Sequence, residues 1–291
     1  MGSRIARVFP RRIESATPVG PDVYIGDPPM FFDADEVHIS VTFKGDLKEA
    51  ERLERAWRKR QAAPVYVGGP ATGEAGGDFV PGRYLKHGAV ITSRGCPNRC
   101  PHCSVPKREG AGVRELPVTW GWNVLDDNLL ACSRQHIEQV FSMLHAQKHQ
   151  PSFTGGLEAA RLKPWHVELL AKRPPESMFF AYDTPGDLEP LREAGKLLRR
   201  PGLGLSKDGK AIANRARCYV LCGFFRGDTP EKAARRMVDT VEAGFWPMAM
   251  VYQPEDAGAD YVVPDEWVKV QRHWTRLAAV KAECAKLRGT P

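Results

Sequence analysis

The chain has 291 residues, 42% of them hydrophobic and 26% charged, proportions that fit a globular fold with one large domain and an extension. No apolar run reaches the roughly 18 residues of a membrane span, and no apolar stretch of the secretory kind follows the charged N-terminus, so a cytoplasmic protein without a membrane partner is expected. Lys and Arg number 42 against 35 Asp and Glu, a net charge of +7 that by itself demands no polyanionic partner.

The chain opens on a basic stretch, with Arg4, Arg7, Arg11 and Arg12 and no acid before residue 13. Either it contacts phosphate or it is a solvated, flexible arm. Glu36–Phe43 alternates apolar and polar residues and predicts a strand. Asp46, with Glu49 three residues on, has the pattern of a capping box. Leu47, Ala50, Leu53 and Trp57 then fall at helical spacing on one face. Val65–Val67 predicts the next strand, ended by Gly68-Gly69-Pro70. These elements make one βαβ unit, and the Gly- and Pro-rich residues 70–88 read as a linker closing an extension over 1–88.

From residue 89, short apolar strands alternate with amphipathic helices, the pattern of a parallel α/β sheet. Strands are predicted at Ala89–Thr92, Trp122–Leu125, Ser152–Thr154, Ser177–Tyr182, Arg217–Phe224 and Trp246–Tyr252. Helices are predicted after Ser133, at Trp165–Ala171, over about 187–199, and from Thr229-Pro230 to Gly244. The fourth of these has Pro in its first turn and Gly beyond its last. Residues 89–255 thus hold six strand–helix steps, too few for a closed eight-stranded barrel. Residues 256–291 form a helical extension, with Trp267, Val270, Trp274, Leu277 and Ala278 on one stripe. Within residues 196–217, Lys196, Arg199, Arg200, Lys207, Lys210, Arg215 and Arg217 stand against Asp208 alone. This second basic stretch has the same two readings as the first.

Three of the seven cysteines lie within Arg94-Gly95-Cys96-Pro97-Asn98-Arg99-Cys100-Pro101-His102-Cys103. In a chain with no secretory signal, such crowding points to a metal or cluster site rather than to disulfides. Thiolates are soft ligands suited to iron–sulfur clusters. Three of them on one loop hold three corners of a cubane and leave the fourth iron free of protein. The alternative is zinc, which in a closed structural site takes four ligands and would need His102 or a distant residue.

The spacing C-x3-C-x2-C at the end of a first strand resembles the signature of the radical S-adenosylmethionine (SAM) superfamily, and the resemblance extends over about 89–255. It implies a partial (β/α)6 barrel with a small N-terminal βαβ extension. It further implies a 4Fe-4S cluster on Cys96, Cys100 and Cys103, with SAM chelated at the open iron. An electron, supplied by a reductant such as flavodoxin or ferredoxin, then cleaves SAM to methionine and a 5′-deoxyadenosyl radical. By position in the family pattern, His102 lies near the adenine, and Asp126, Asp127 and Asn128 at the methionine end. Gly155, Gly156 and Glu158 resemble the glycine-rich SAM turn, although that turn usually follows the second strand. Tyr182, Asp183 and Gly223 fall where ribose and adenine contacts arise. For Asp183 and Glu158 the alternative is ordinary helix capping or loop solvation. The extension over 1–88 is similar to a shortened form of the domain found in the cobalamin branch, without the D-x-H-x-x-G cobalt motif.

Cys218 and Cys222, four apart in one strand, share a face. If that face lines the barrel they are candidate hydrogen-atom donors; otherwise they are small buried residues. No auxiliary-cluster cysteines precede residue 96. A redox-neutral, isomerase-like outcome is therefore expected. With phosphate contacts from Arg4, Arg7, Arg11, Arg12, Arg199, Arg200, Lys207, Lys210, Arg215 and Arg217, the expected substrate is a nucleotide or nucleic-acid base. Modification of a peptide or small metabolite is the second possibility. A non-catalytic iron–sulfur or zinc protein that binds nucleic acid is the third.

Overall fold

A computed structural model of the chain describes residues 3–60, 62–199, 203–204, 215–254 and 261–287. Two parallel sheets organise it. The first is built from β1 (Ile5–Phe9), β2 (Val23–Ile25), β3 (Glu36–Ser40) and β4 (Val65–Gly68), in the order β2-β1-β3-β4. Helix α1 (Leu47–Arg60) covers it, burying Ala50, Leu53 and Trp57, the predicted stripe, against Val8, Val37 and Ile39. Burying Leu53 and Trp57 is worth about 2–3 kcal/mol each. The indole N–H of Trp57 donates to the Gly26 carbonyl at 3.1 Å, so the ring is buried without an orphaned polar atom. The Asp46 carboxylate, just before this helix, pairs with Arg11 at 3.0 Å.

The extension is thus a four-stranded sheet rather than a single βαβ unit. Charge concealed the two additional strands. Ile5–Phe9 alternates Ala6 and Val8 into the core with Arg7 outward, but the arginines around it read as an arm. Residues 70–88 are likewise not a free linker. The Lys86 amide donates to the Ala16 carbonyl, Arg7 binds the carbonyls of Gly82 and Arg83, and Tyr84 bonds His38.

The second sheet is formed by β5 (Ala89–Val90), then, after β6 (Ser93–Arg94), α2 (Val105–Glu109) and β7 (Arg114–Glu115), by β8 (Asn123–Val124). It continues, past α3 (Arg134–His145), with β9 (Ser152–Phe153) and, past α4 (Pro164–Lys172), with β10 (Ser177–Tyr182). Past α5 (Leu188–Leu198) comes β11 (Ala216–Cys222), and past α6 (Pro230–Ala243) comes β12 (Trp246–Val251). The six strands pair in parallel and in chain order, β5-β8-β9-β10-β11-β12. Every strand therefore delivers its C-terminal end to the same edge. Strands β6 and β7 form a separate antiparallel pair at that edge.

The caps predicted for α3 and α6 are present. The Ser133 hydroxyl accepts from His136 N, the Thr229 hydroxyl accepts from Lys232 N, and Gly244 ends α6 with φ +99°. The expected single C-terminal helix is two, α7 (Asp265–Trp274) and α8 (Leu277–Leu287), broken at Thr275. Trp267, Val270 and Trp274 are buried in the main core. Among the described residues, no helix is long and apolar enough to cross a membrane.

Candidate cluster site

The cysteine loop follows β5, at the edge that receives all six C-terminal strand ends. A local framework fixes its entry. Asp126, directly beyond β8, is buried; its carboxylate accepts from Thr92 N at 2.6 Å, Thr92 Oγ1 at 2.6 Å and Ser93 Oγ at 2.7 Å. Asp127 accepts from Gly95 N at 2.8 Å and pairs with Arg108 of α2 at 3.3 Å. Glu109, nearly buried, receives Arg108 on one side and the amide of Gly76 on the other, tying residues 70–88 to the loop. Gly95 has φ +86°, and a Cβ there would stand 2.1 Å from the Gly112 carbonyl, so no other residue fits the turn.

Cys96, Cys100 and Cys103 are all half-buried. Burial, then the neighbouring Cys103 and Cys96 and the carboxylates of Asp183 and Asp187, pushes the Cys100 thiol up to about 11. Burial is also the main cause that raises Cys103, and Cys96 adds to it. The three sulfurs therefore share one field, and a bound cation would reverse its sign and deprotonate them. Among the described residues they do not form a group whose ligand atoms all lie within 4.8 Å.

Other strand ends reach this loop. Asn128 donates to Cys96 Sγ at 3.3 Å and to Glu158 Oε2 at 2.6 Å; Glu158 is held in turn by Arg161 at 2.6 Å. His102 Nε2 lies 3.1 Å from Asp183 Oδ2, joining the loop to the end of β10. Neither Asp183 nor Glu158 caps a helix through its side chain, so both are free to face the loop. His102 Nδ1, Asn128 Oδ1 and Asp183 Oδ1 are buried without a hydrogen-bond partner among the described residues. Buried polar atoms left bare are costly, and three around one loop are the expected mark of a missing polar ligand. The residues present thus fit a cluster with a polar small molecule beside it.

Phe224 packs edge-to-face on His102 at 5.3 Å and on Tyr252 at 4.7 Å, giving the site an aromatic wall beyond β11 and β12. Sequence reasoning missed both rings. The available signal was an aromatic residue just after a strand on the edge that carries the chemistry.

Several predicted residues stand elsewhere. Asp126 and Asp127 brace the loop rather than present free carboxylate to a ligand. A Cβ on Gly155 would lie 2.3 Å from the Asp126 carbonyl, so this glycine is a packing contact between strand ends. Gly156 has φ +114°, and a Cβ there would meet only the Phe179 carbonyl, at 4.0 Å. Gly223 donates its amide to Asp228 at 2.8 Å and packs on Trp267. Tyr182 is buried, in register with Val220 and within the field of Asp239 and Arg236 of α6. Cys218 and Cys222 are fully buried, and their sulfurs meet Thr240 and Arg236 of α6. They face the helix layer, which removes the geometric premise for hydrogen-atom donation.

The basic stretches divide. Arg4 pairs with Asp22 and Asp33, Arg7 binds backbone carbonyls, and Arg11 pairs with Asp46. Arg12 and Arg199 are exposed, Arg215 is half-buried, and Arg217 lies over the Phe179 ring at 5.2 Å. Arg200, Lys207 and Lys210 lie outside the described residues. A groove lined by Arg217, Trp246, Met248 and Trp274 sits at the N-terminal ends of β11 and β12, opposite the cysteine loop.

No family model matches the chain, and no curated protein matches it.

Proposed function

We propose that this chain is a radical SAM enzyme whose six parallel strands form the partial (β/α)6 barrel of that superfamily. The observation that carries the reading is the convergence on one C-terminal strand edge of three thiols and three bare buried polar atoms. Cys96, Cys100 and Cys103 would hold the 4Fe-4S cluster. Asn128, His102 and Asp183 would offer polar groups to SAM, with Phe224 and Tyr252 beside them. A bound, reduced cluster would supply the one electron needed for reductive cleavage of SAM and so for hydrogen abstraction from substrate. A flavodoxin- or ferredoxin-type protein is the proposed electron source.

The chain's own residues act by position. The Asp127–Gly95 and Asp126–Thr92 bonds hold the loop in one shape, and such fixed geometry lowers the cost of reaction. The Asn128 N–H on Cys96 favours the more negative, reduced state of a cluster there. The His102–Asp183 pair closes the loop against β10.

Internal pairing of Arg4, Arg7 and Arg11 weakens the case for a polymeric nucleic acid. We therefore assign the substrate to small molecules, a nucleotide or another polar metabolite, modified without net oxidation. The test is anaerobic reconstitution with iron and sulfide of the native chain and of Cys100→Ala. About four irons per chain with a cluster EPR signal on reduction, lost in the variant, is expected. Retention of the signal without Cys100 contradicts the assignment. Nucleic-acid binding that weakens steeply with salt would restore the polymeric substrate.

A further inference from the structure

A second group of ligating side chains lies on the strand-to-helix connection behind the cysteine loop. Asp126, Cys132 and His136 bring one ligand atom each within 4.8 Å of one another. Asp126 follows β8, Cys132 directly precedes the Ser133 cap, and His136 sits in the first turn of α3. Cys132 and His136 are thus held by one capped helix start, and Asp126 by the neighbouring strand end.

Without a cation, the charge of Asp126 and one ring nitrogen of His136 go unmatched. The Asp126 carboxylate is 1% exposed, and its three hydrogen bonds come from uncharged donors. Among the described residues it forms no ion pair with Lys or Arg, although a buried carboxylate ordinarily requires one. His136 is 5% exposed, and its Nε2 is buried with no hydrogen-bond partner among the described residues. Its Nδ1 stands 3.9 Å from Glu115 Oε2, beyond hydrogen-bond reach. Cys132 supplies a half-buried sulfur beside the same carboxylate.

One divalent ion answers these deficits together. A thiolate, a carboxylate and a neutral imidazole carry two negative charges, so the site with a dication is neutral. Mixed sulfur, nitrogen and oxygen ligands suit zinc, not the oxygen-seeking magnesium or calcium. Bonds of about 2.0–2.3 Å at tetrahedral angles place ligand atoms about 3.5 Å apart, which small side-chain rotations reach from the present spread.

We propose that Asp126, Cys132 and His136 form a zinc-class metal site, distinct from the cysteine loop, that locks the start of α3 to the strand end that braces the loop. Three protein ligands leave the fourth position to water. The proposal stands on these residues alone and does not depend on what Cys96, Cys100 and Cys103 hold.

The test is cobalt(II) titration of the full-length chain in which all three loop cysteines are replaced by Ala. About one cobalt per chain is expected, with tetrahedral d–d bands and thiolate charge transfer. Adding Cys132→Ala or His136→Gln should weaken binding by more than the roughly 10–100-fold that loss of a supporting residue costs. Cobalt that still binds with thiolate charge transfer after Cys132→Ala overturns the proposal. So does failure of the triple variant to bind when its circular dichroism matches the native chain. Should the triple variant not fold, the native chain with its loop thiols already occupied by a reconstituted cluster serves instead. It must then take up one further cobalt, lost in Cys132→Ala, and no uptake refutes the site.

Discussion

Replacing Asn128 with Leu removes the N–H that Cys96 Sγ accepts at 3.3 Å while keeping the shape of a side chain that is 4% exposed. Glu158 loses one donor but keeps Arg161 at 2.6 Å, so the perturbation centres on the sulfur. A hydrogen bond to a charged group is worth about 1.5–3 kcal/mol. Both oxidation states of a cluster accept it, and only the difference moves the potential. A difference of about 1 kcal/mol is ~40 mV for one electron. The reduced state carries more negative charge and gains more from the donor, so the variant's midpoint should fall by that amount. Asn128→Asp, which sets a carboxylate beside Cys96 and Glu158, should fall further. EPR-monitored redox titration of the reconstituted chains measures both. A rise, or a change under about 10 mV, a quarter of the expected shift, would mean that the Asn128 N–H does not tune the cluster.

Further outcomes follow from single contacts. Gly95→Ala, with its Cβ 2.1 Å from a carbonyl and φ at +86°, should strip the chain of iron after reconstitution, read as iron per chain. His166 is buried with Nδ1 accepting from Lys163 N, and burial, then Lys163 and Arg134, hold its imidazole down to about 4. Below pH about 6.5 the unfolded chain takes up a proton that the folded chain refuses until pH about 4. Stability should fall across that window by at most about 3 kcal/mol. Urea unfolding at either end checks this, and His166→Gln should flatten the slope. Cys218 and Cys222, fully buried on the helix side, should resist iodoacetamide until the chain unfolds. Their replacement by Ala should leave SAM cleavage intact.

The second sheet was legible because each buried strand is a short apolar run followed by an amphipathic helix with a clear cap. Ser177–Tyr182 fell where expected, and Thr229 and Gly244 bounded their helix. The first sheet was less legible. In Ile5–Phe9 an arginine takes an outward position of the strand, and charge outweighed the alternation of Ala6 and Val8. The flanking Arg4 and Arg11 pair with Asp22, Asp33 and Asp46, partners brought close only by the fold. Spacing alone marked the cysteine loop, but it did not tell which carboxylates face outward. Asp126, Asp127 and Asn128 are consecutive, yet two hold the backbone of the loop and one reaches the sulfur. Local strand-end geometry decides that difference. The Phe224 ring meets His102, and Tyr252 meets Phe224, only through sheet order. The grouping of Asp126, Cys132 and His136 was hidden because the strand end and the helix start had to be placed together first.

The most direct measurement is incubation of the anaerobically reconstituted chain with SAM and dithionite, with mass spectrometry for 5′-deoxyadenosine. The native chain should form it and Cys100→Ala should not. An intact cluster that yields none, even with a panel of nucleotides and polar metabolites present, would contradict the radical SAM assignment.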